Sequence, residues 1–164
     1  MRLLIIRHAV AVPSGTAGIA DDDRPLTPRG KARFRLAAKG LARMTPRPDV
    51  LLTSPLPRAR ETAEIAARAW KRLAPRIEPA LASGRLEAIV AALAKEPRDA
   101  TVAIVGHEPV LAGLVARLVG ASRGEPFAFK KGGAALVDLP DGPLAVGRLI
   151  WFVKPRILRN LSAG

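Results

Sequence analysis

At 164 residues the chain has the length of one domain, and a chain of this size buries about 70% of its unfolded surface without needing disulfides or a metal. Its 49% hydrophobic and 25% charged content excludes a disordered chain, and the lack of cysteine excludes disulfide scaffolds, thiolate zinc sites and cysteine nucleophiles. The net charge is +13, with 20 arginines against 7 lysines, which favours anionic partners. Nucleic acid is disfavoured, because the cations form no dense run and four Phe and two Trp leave few stacking platforms. A coding bias that leaves a solvated basic surface accounts for the charge equally well.

The N-terminus imitates a signal peptide, with Arg2 as its basic start and Ala9-Val10-Ala11 as a cleavage site. Arg7-His8 interrupts the apolar stretch well before the length such a segment needs. No stretch approaches the roughly 18 apolar residues of a membrane span, so a soluble, cytoplasmic protein is expected.

Leu3 to Ile6 is a continuous apolar run too short for a helix, as a strand covered on both faces requires. Pro13 to Pro25, with Asp21-Asp22-Asp23, reads as a surface loop. Thr27-Pro28 starts a helix, threonine as N-cap and proline first, with Phe34, Ala37, Ala38 and Leu41 on one face. Pro46 and Pro48 end it, and Val50-Leu51-Leu52 is a second buried strand. A second helix is predicted from about Pro57 to Leu73, and a small strand at Arg76-Ile77-Glu78. Ser83 is expected to cap a third helix whose face is Leu86, Ile89, Val90 and Leu93. Thr101 to Val105 is another buried strand, and Pro109 stands at the start of a helix with Val110, Leu111, Leu114, Val115 and Leu118 as its apolar face. Ala134 to Leu139 and Leu144 to Val153 are strand-like around Pro140-Asp141-Gly142-Pro143, a tight-turn signal that predicts a hairpin. Strands alternating with helices predict an α/β fold, a three-layer α/β/α sandwich whose mostly parallel sheet gains an antiparallel strand from the C-terminal hairpin. Lys154 and Arg156 carry no motif.

The only two histidines occupy matching places: His8 stands two residues after Ile6, and His107 two after Val105. Ligands of open parallel sheets bind at the carboxyl ends of strands. Arg7 precedes His8, and a third strand end leads through Thr53-Ser54-Pro55-Leu56-Pro57 to Arg58 in the first turn of a helix. A helix start and a guanidinium both suit phosphate; spacing alone leaves Arg58 and Arg60 open as the residue concerned. Such a pocket matches phosphoryl chemistry without a metal, in which a neutral imidazole attacks phosphorus. Nearby arginines favour the neutral form, each by about two pKa units at 5 Å and an effective dielectric near 20.

With these residues located, the sequence resembles the histidine phosphatase superfamily, also called phosphoglycerate-mutase-like. Arg7-His8-Ala9 is similar to its Arg-His-Gly signature; Ser54-Pro55-Leu56-Pro57-Arg58-Ala59-Arg60-Glu61-Thr62-Ala63 to its second motif, Ser-Pro-Leu-x-Arg-Ala-x-x-Thr-Ala; and Gly106-His107-Glu108-Pro109 to Gly-His-x-Pro. Leu26-Thr27-Pro28-Arg29-Gly30 matches its Leu-Thr-x-x-Gly stretch. The resemblance implies His8 as the phosphorylated nucleophile, with Arg7, Arg58 and His107 completing the phosphate pocket and substrate contacts, and it selects Arg58 over Arg60. It implies no metal and no cofactor. The short length implies residues 1–164 as a single domain without a sizeable cap insertion, closest to the small SixA-type phosphohistidine phosphatases, which the stretch Asp23-Arg24-Pro25-Leu26-Thr27 also resembles.

Two departures stand out. Ala9 replaces the usual glycine, and no clear counterpart of the acid that protonates a leaving alcohol appears between Leu81 and Leu93. Glu87 falls inside the predicted third helix, while Asp21, Asp22 and Asp23 lie in a loop able to lean over a pocket. An alkyl phosphate needs such an acid at pH 7; a phosphohistidine P–N bond, which expels imidazole, needs little or none. The expectation is a monomeric phosphatase acting on phosphohistidine of a histidine-containing phosphocarrier or phosphorelay domain. The alternatives are a phosphomonoesterase of sugar phosphates or nucleotides, and a non-catalytic basic phosphate-binding protein. Lys130-Lys131 reads as a solvated turn or as an extension of a basic rim.

Overall fold

Leu4 and Ile6 belong to one apolar cluster and Leu3 and Ile5 to another, all four without solvent exposure. Alternate residues of a strand point to opposite faces, so this first strand is covered on both sides. The structure, a computed structural model, describes residues 1–71, 73–122 and 127–162. In chain order the elements are β1 (Arg2–Arg7), α1 (Pro28–Met44), β2 (Val50–Thr53), α2 (Pro57–Ala69), β3 (Arg76–Ile77), α3 (Leu86–Leu93), β4 (Thr101–Gly106), α4 (Val110–Leu118), β5 (Ala134–Asp138), β6 (Arg148–Val153) and α5 (Pro155–Leu161). The sheet order is β3-β2-β4-β1-β5-β6. β3, β2, β4 and β1 are parallel, and the hairpin β5–β6 joins through β5, antiparallel to β1. α1, α2 and Leu158 of α5 pack on one face, α3 and α4 on the other, giving the three layers that the alternation of elements predicts. Among the described residues no helix is long and apolar enough to cross a membrane.

Local chemistry sets most boundaries. The Thr27 hydroxyl accepts from Gly30 N at 2.9 Å, capping α1 ahead of Pro28. Gly30 is required by close approach, since a Cβ there would lie 2.1 Å from the Val10 carbonyl oxygen. The Asp21–Asp23 segment of the expected loop forms a short 3-10 turn.

Four expectations need correction. α2 ends at Ala69, not Leu73: Trp70 closes it with an N–H donated to Ala66 O, and Lys71 turns left-handed at φ 54°. Arg72, inside the expected range, lies outside the described residues. Ser83 does not cap α3. Its hydroxyl donates back to Ala80 O at 2.7 Å, closing a 3-10 turn over Pro79–Ala82, and α3 begins after Arg85 without a side-chain cap. β6 starts at Arg148 rather than Leu144, because Ala145 N bonds Gly142 O and Gly147 N bonds Leu118 O instead of the sheet; Leu144 and Val146 are exposed. Finally, the C-terminus forms α5, which the pattern did not suggest. Pro155 opens it and Leu158 is fully buried. Its docking depends on Gly40 of α1, where a Cβ would sit 1.8 Å from the Leu158 carbonyl oxygen.

Candidate active site

Neighbouring β2, β4 and β1 end at one edge, where Arg7 pairs in register with Gly106 and Thr53 with Val105. This edge gathers His8, His107, Arg7 and Arg58 from three separate stretches of chain. The imidazole centroids of His8 and His107 are 5.1 Å apart. Arg58 is 6% exposed and Arg60 is exposed, so burial distinguishes the two arginines that spacing could not.

His8 is 6% exposed, and its Nδ1 lies 2.8 Å from Ala9 O. A carbonyl can only accept, so Nδ1 carries the proton and Nε2 keeps its lone pair. Burial lowers the His8 pKa to about 3; the Ala9 bond opposes this, and His107, Arg58 and Arg7 add to the lowering. Burial also lowers His107 to about 4, helped by Arg58, Arg7 and Arg24. Both rings are therefore neutral at pH 7. Burial, more than the arginines expected from the sequence, is the cause of this neutrality. His107 Nε2 lies 2.8 Å from Ser54 Oγ.

Three buried nitrogens at this edge have no hydrogen-bond partner among the described residues: Arg7 Nε, Arg58 Nε and His107 Nδ1. Leaving a buried donor unmade costs about 1–3 kcal/mol. Guanidinium and imidazole nitrogens of this kind are chemically suited to the oxygens of an anion. Burial lowers the pKa of both arginines from the usual value, with Glu108 opposing the shift at Arg7.

Contacts give several other residues near these strand ends a supporting place. Ser54, fully buried, orients His107. Thr62 Oγ1 accepts from Ala9 N at 3.0 Å and donates to Arg58 O at 2.6 Å, tying α2 to the segment after β1. Arg24 donates through Nη1 to Val12 O and through Nε to the Asp21 carboxylate, and its charge reaches His107 and Arg58. Asp21 in turn receives Arg58 Nη1 on its carbonyl at 2.8 Å, with its carboxylate 3.9 Å from Arg58. Nothing in a one-dimensional pattern marks these pairs, whose members lie up to 53 residues apart.

Glu108 completes a relay. Its carboxylate accepts from Phe129 N at 2.7 Å, and the Phe129 carbonyl accepts from Arg7 Nη1. Phe129 is itself buried against Phe152, 4.6 Å between ring centroids. Glu108 is thus a positioning residue for Arg7. Glu108→Ala is expected to lower kcat/KM about 10-fold, on the scale of losing an outer partner of a site residue, while Glu108→Gln, which keeps an acceptor, restores most of it. Equal losses in both variants would point to the charge instead.

The two depressed histidines also set a pH dependence of stability. Each binds a proton more readily when unfolded, near pKa 6.5, than when folded at about 3 or about 4. Their contribution is complete above pH 6.5 and is lost as pH falls toward pH 4 and below, at up to about 1.4 kcal/mol per pH unit for each group. Denaturant titrations at pH 7.5 and 4.5 should show wild type losing more stability than His107→Asn; equal losses would refute the linkage.

The family model described as histidine phosphatase superfamily (branch 1) matches residues 3–83. An uncharacterized protein of Picosynechococcus sp. is 37% identical over 146 residues, 87% of this chain and 86% of its own length. The protein histidine phosphatase SixA, solved in complex with tungstate, aligns with TM-score 0.79 and 28% identity over 96% of this chain and 99% of its own. A SixA from Agrobacterium tumefaciens aligns with TM-score 0.79 and 27% identity, covering 94% of this chain and 98% of its own. Motif order, sheet edge and whole-chain superposition agree: this chain belongs to the histidine phosphatase superfamily, with its phosphoglycerate-mutase-like fold.

Proposed function

We propose that the protein is a metal-independent phosphatase that removes phosphate from phosphohistidine in proteins, with His8 as nucleophile. The observation that carries this reading is the meeting of one neutral imidazole, its Nε2 lone pair free, with three unpartnered buried nitrogens on Arg7, Arg58 and His107. His8 Nε2 attacks phosphorus and forms a P–N bond, while the bond from phosphorus to the substrate nitrogen breaks. A substrate imidazole protonated on its other ring nitrogen leaves neutral. Water then cleaves the phosphorylated His8, releasing inorganic phosphate and restoring the imidazole. Arg7, Arg58 and His107 hold the non-bridging oxygens, where charge is greatest in the transition state. Two guanidinium groups at the centre also disfavour a bound cation.

The carboxylates near the site favour phosphohistidine over an alkyl ester. Hydrogen bonds from Ser14 and Arg24 hold the Asp21 carboxyl below its usual range, so it is a poor proton donor. Glu108 is engaged by the Phe129 and Ala112 N–H groups, Asp22 and Asp23 are exposed, and exposed Glu87 faces Arg117. The tungstate complex of SixA supports a pocket for a tetrahedral oxyanion. We further propose that the chain acts as one domain, without a cap, as a cytoplasmic monomer.

The test compares hydrolysis of a phosphohistidine-bearing carrier protein with that of an aryl phosphate, both in chelator. Faster turnover of the phosphohistidine protein supports the reading. Equal or better turnover of the ester assigns the enzyme to small phosphomonoesters, and inactivity on both leaves an anion-binding protein.

A further inference from the structure

Beside the phosphate pocket, and sharing Arg7 with it, runs a cleft of about 510 Å³ between α1, the Lys130–Gly132 segment and the start of α5. Its apolar lining comes from Val10, Phe34, Ala37 and Pro155, of which Phe34 and Ala37 are buried and form its base. Its walls carry Arg33, Lys130, Lys131, Lys154, Arg156 and Arg159, and no carboxylate lines it. None of these six cations forms an ion pair among the described residues, whereas other surface arginines, such as Arg76, Arg117 and Arg148, find acidic partners. Burial lowers the Arg159 guanidinium, and the like charges of Arg33 and Arg156 add to that. The fold gains nothing from gathering like charges here, and most of them come from α5 and the approach to β5, elements far apart in sequence from Arg33.

We propose that this cleft is the docking site for an acidic segment of the phosphoprotein substrate, seating it so that its phosphohistidine reaches His8. The inference rests on the phosphohistidine reading of the neighbouring pocket. Charge complementarity selects the sign of the occupant, and the apolar floor selects a protein segment with some hydrophobic side chains over a bare polyanion, which would need polar donors beneath it as well as around it. The shared Arg7 makes the two sites one continuous surface. Lys130-Lys131, readable from sequence either as a solvated turn or as a basic rim, forms part of the cleft wall.

The experiment uses two fluorescent peptides of equal length centred on histidine, one flanked by four glutamates and two leucines, the other with glutamine for glutamate. Both are measured unphosphorylated for binding and phosphorylated for turnover. The intact protein is expected to bind the glutamate peptide at least 10-fold more tightly at low salt, the difference shrinking as salt screens it, with a matching preference in kcat/KM. Arg33→Glu/Arg156→Glu and, separately, Lys130→Gln/Lys131→Gln should erase the preference and leave turnover of free phosphoramidate unchanged. Equal binding of the two peptides by wild type, or a preference that survives both double variants, overturns the proposal. Tighter binding of inorganic tripolyphosphate than of the glutamate peptide, lost in the same variants, would assign the cleft to a small polyanion and also overturn it. Binding of unphosphorylated peptide does not depend on catalysis, so failure of the phosphohistidine reading would appear separately, as intact preference without turnover.

Discussion

His8→Asn is expected to abolish turnover, with a loss of at least about 10⁴-fold, the scale seen when a covalent nucleophile is removed. The reason is geometric. His8 is held by its own Nδ1 bond to Ala9 O with Nε2 left basic. The other neutral imidazole, His107, has its Nε2 taken by the Ser54 hydroxyl, which places the proton on Nδ1 and leaves no free lone pair. Rapid acid-free quenching of wild type should trap a phosphorylated protein whose label is lost on mild acid treatment, as for a P–N bond, and His8→Asn should trap none. His8→Gly should regain part of the activity when imidazole is added. A His8→Asn enzyme retaining more than about 1% of turnover would remove His8 from the nucleophile role and turn attention to His107.

Arg58→Ala is the second large effect, expected at about 10³-fold in kcat/KM, within the range for losing a preorganised charge on a phosphoryl group. Arg58 is 6% exposed at the start of α2. Its Nη1 is anchored on Asp21 O while Nε stays unpartnered, so the planar group is aimed before any ligand arrives. A lysine cannot hold the anchor and the anion at once, and Arg58→Lys should recover only about 10-fold of the loss. Inorganic phosphate or tungstate should inhibit both variants far more weakly than wild type. Unchanged inhibition with a fall confined to kcat would mean that Arg58 serves the transition state alone.

Much of this protein was legible one residue at a time. β1, β2 and β4 announce themselves as short continuous apolar runs because a strand covered on both faces has no polar side to show. Arg7, His8 and His107 followed because each stands within two residues of such a run, and strand ends are where a parallel sheet presents groups to a ligand. Arg58, in the first turn of the next helix, needed the motif resemblance to separate it from Arg60. α1 was equally plain, its Thr27 cap and Pro28 being local chemistry. What depended on contacts between distant segments stayed hidden. α5 has one buried side chain and is held by the close approach of Gly40 to Leu158, 118 positions on, so it shows almost no amphipathic period of its own. Ser83 and the start of β6 went elsewhere because backbone groups found nearer or tertiary partners.

The same division runs through the site. Residue type and place in the chain were enough to nominate the imidazole pair and Arg7, and the motif resemblance added Arg58. Only the folded molecule decided that burial more than charge keeps both imidazoles neutral, that Arg58 is inside and Arg60 outside, and that Glu108, Thr62 and Ser54 hold the central groups in place. Local pattern determines which elements form, because caps and apolar periods act within a few residues. Desolvation, hydrogen-bond relays and the basic cleft are sums over segments brought together from across the chain, and they exist only once the sheet order is set.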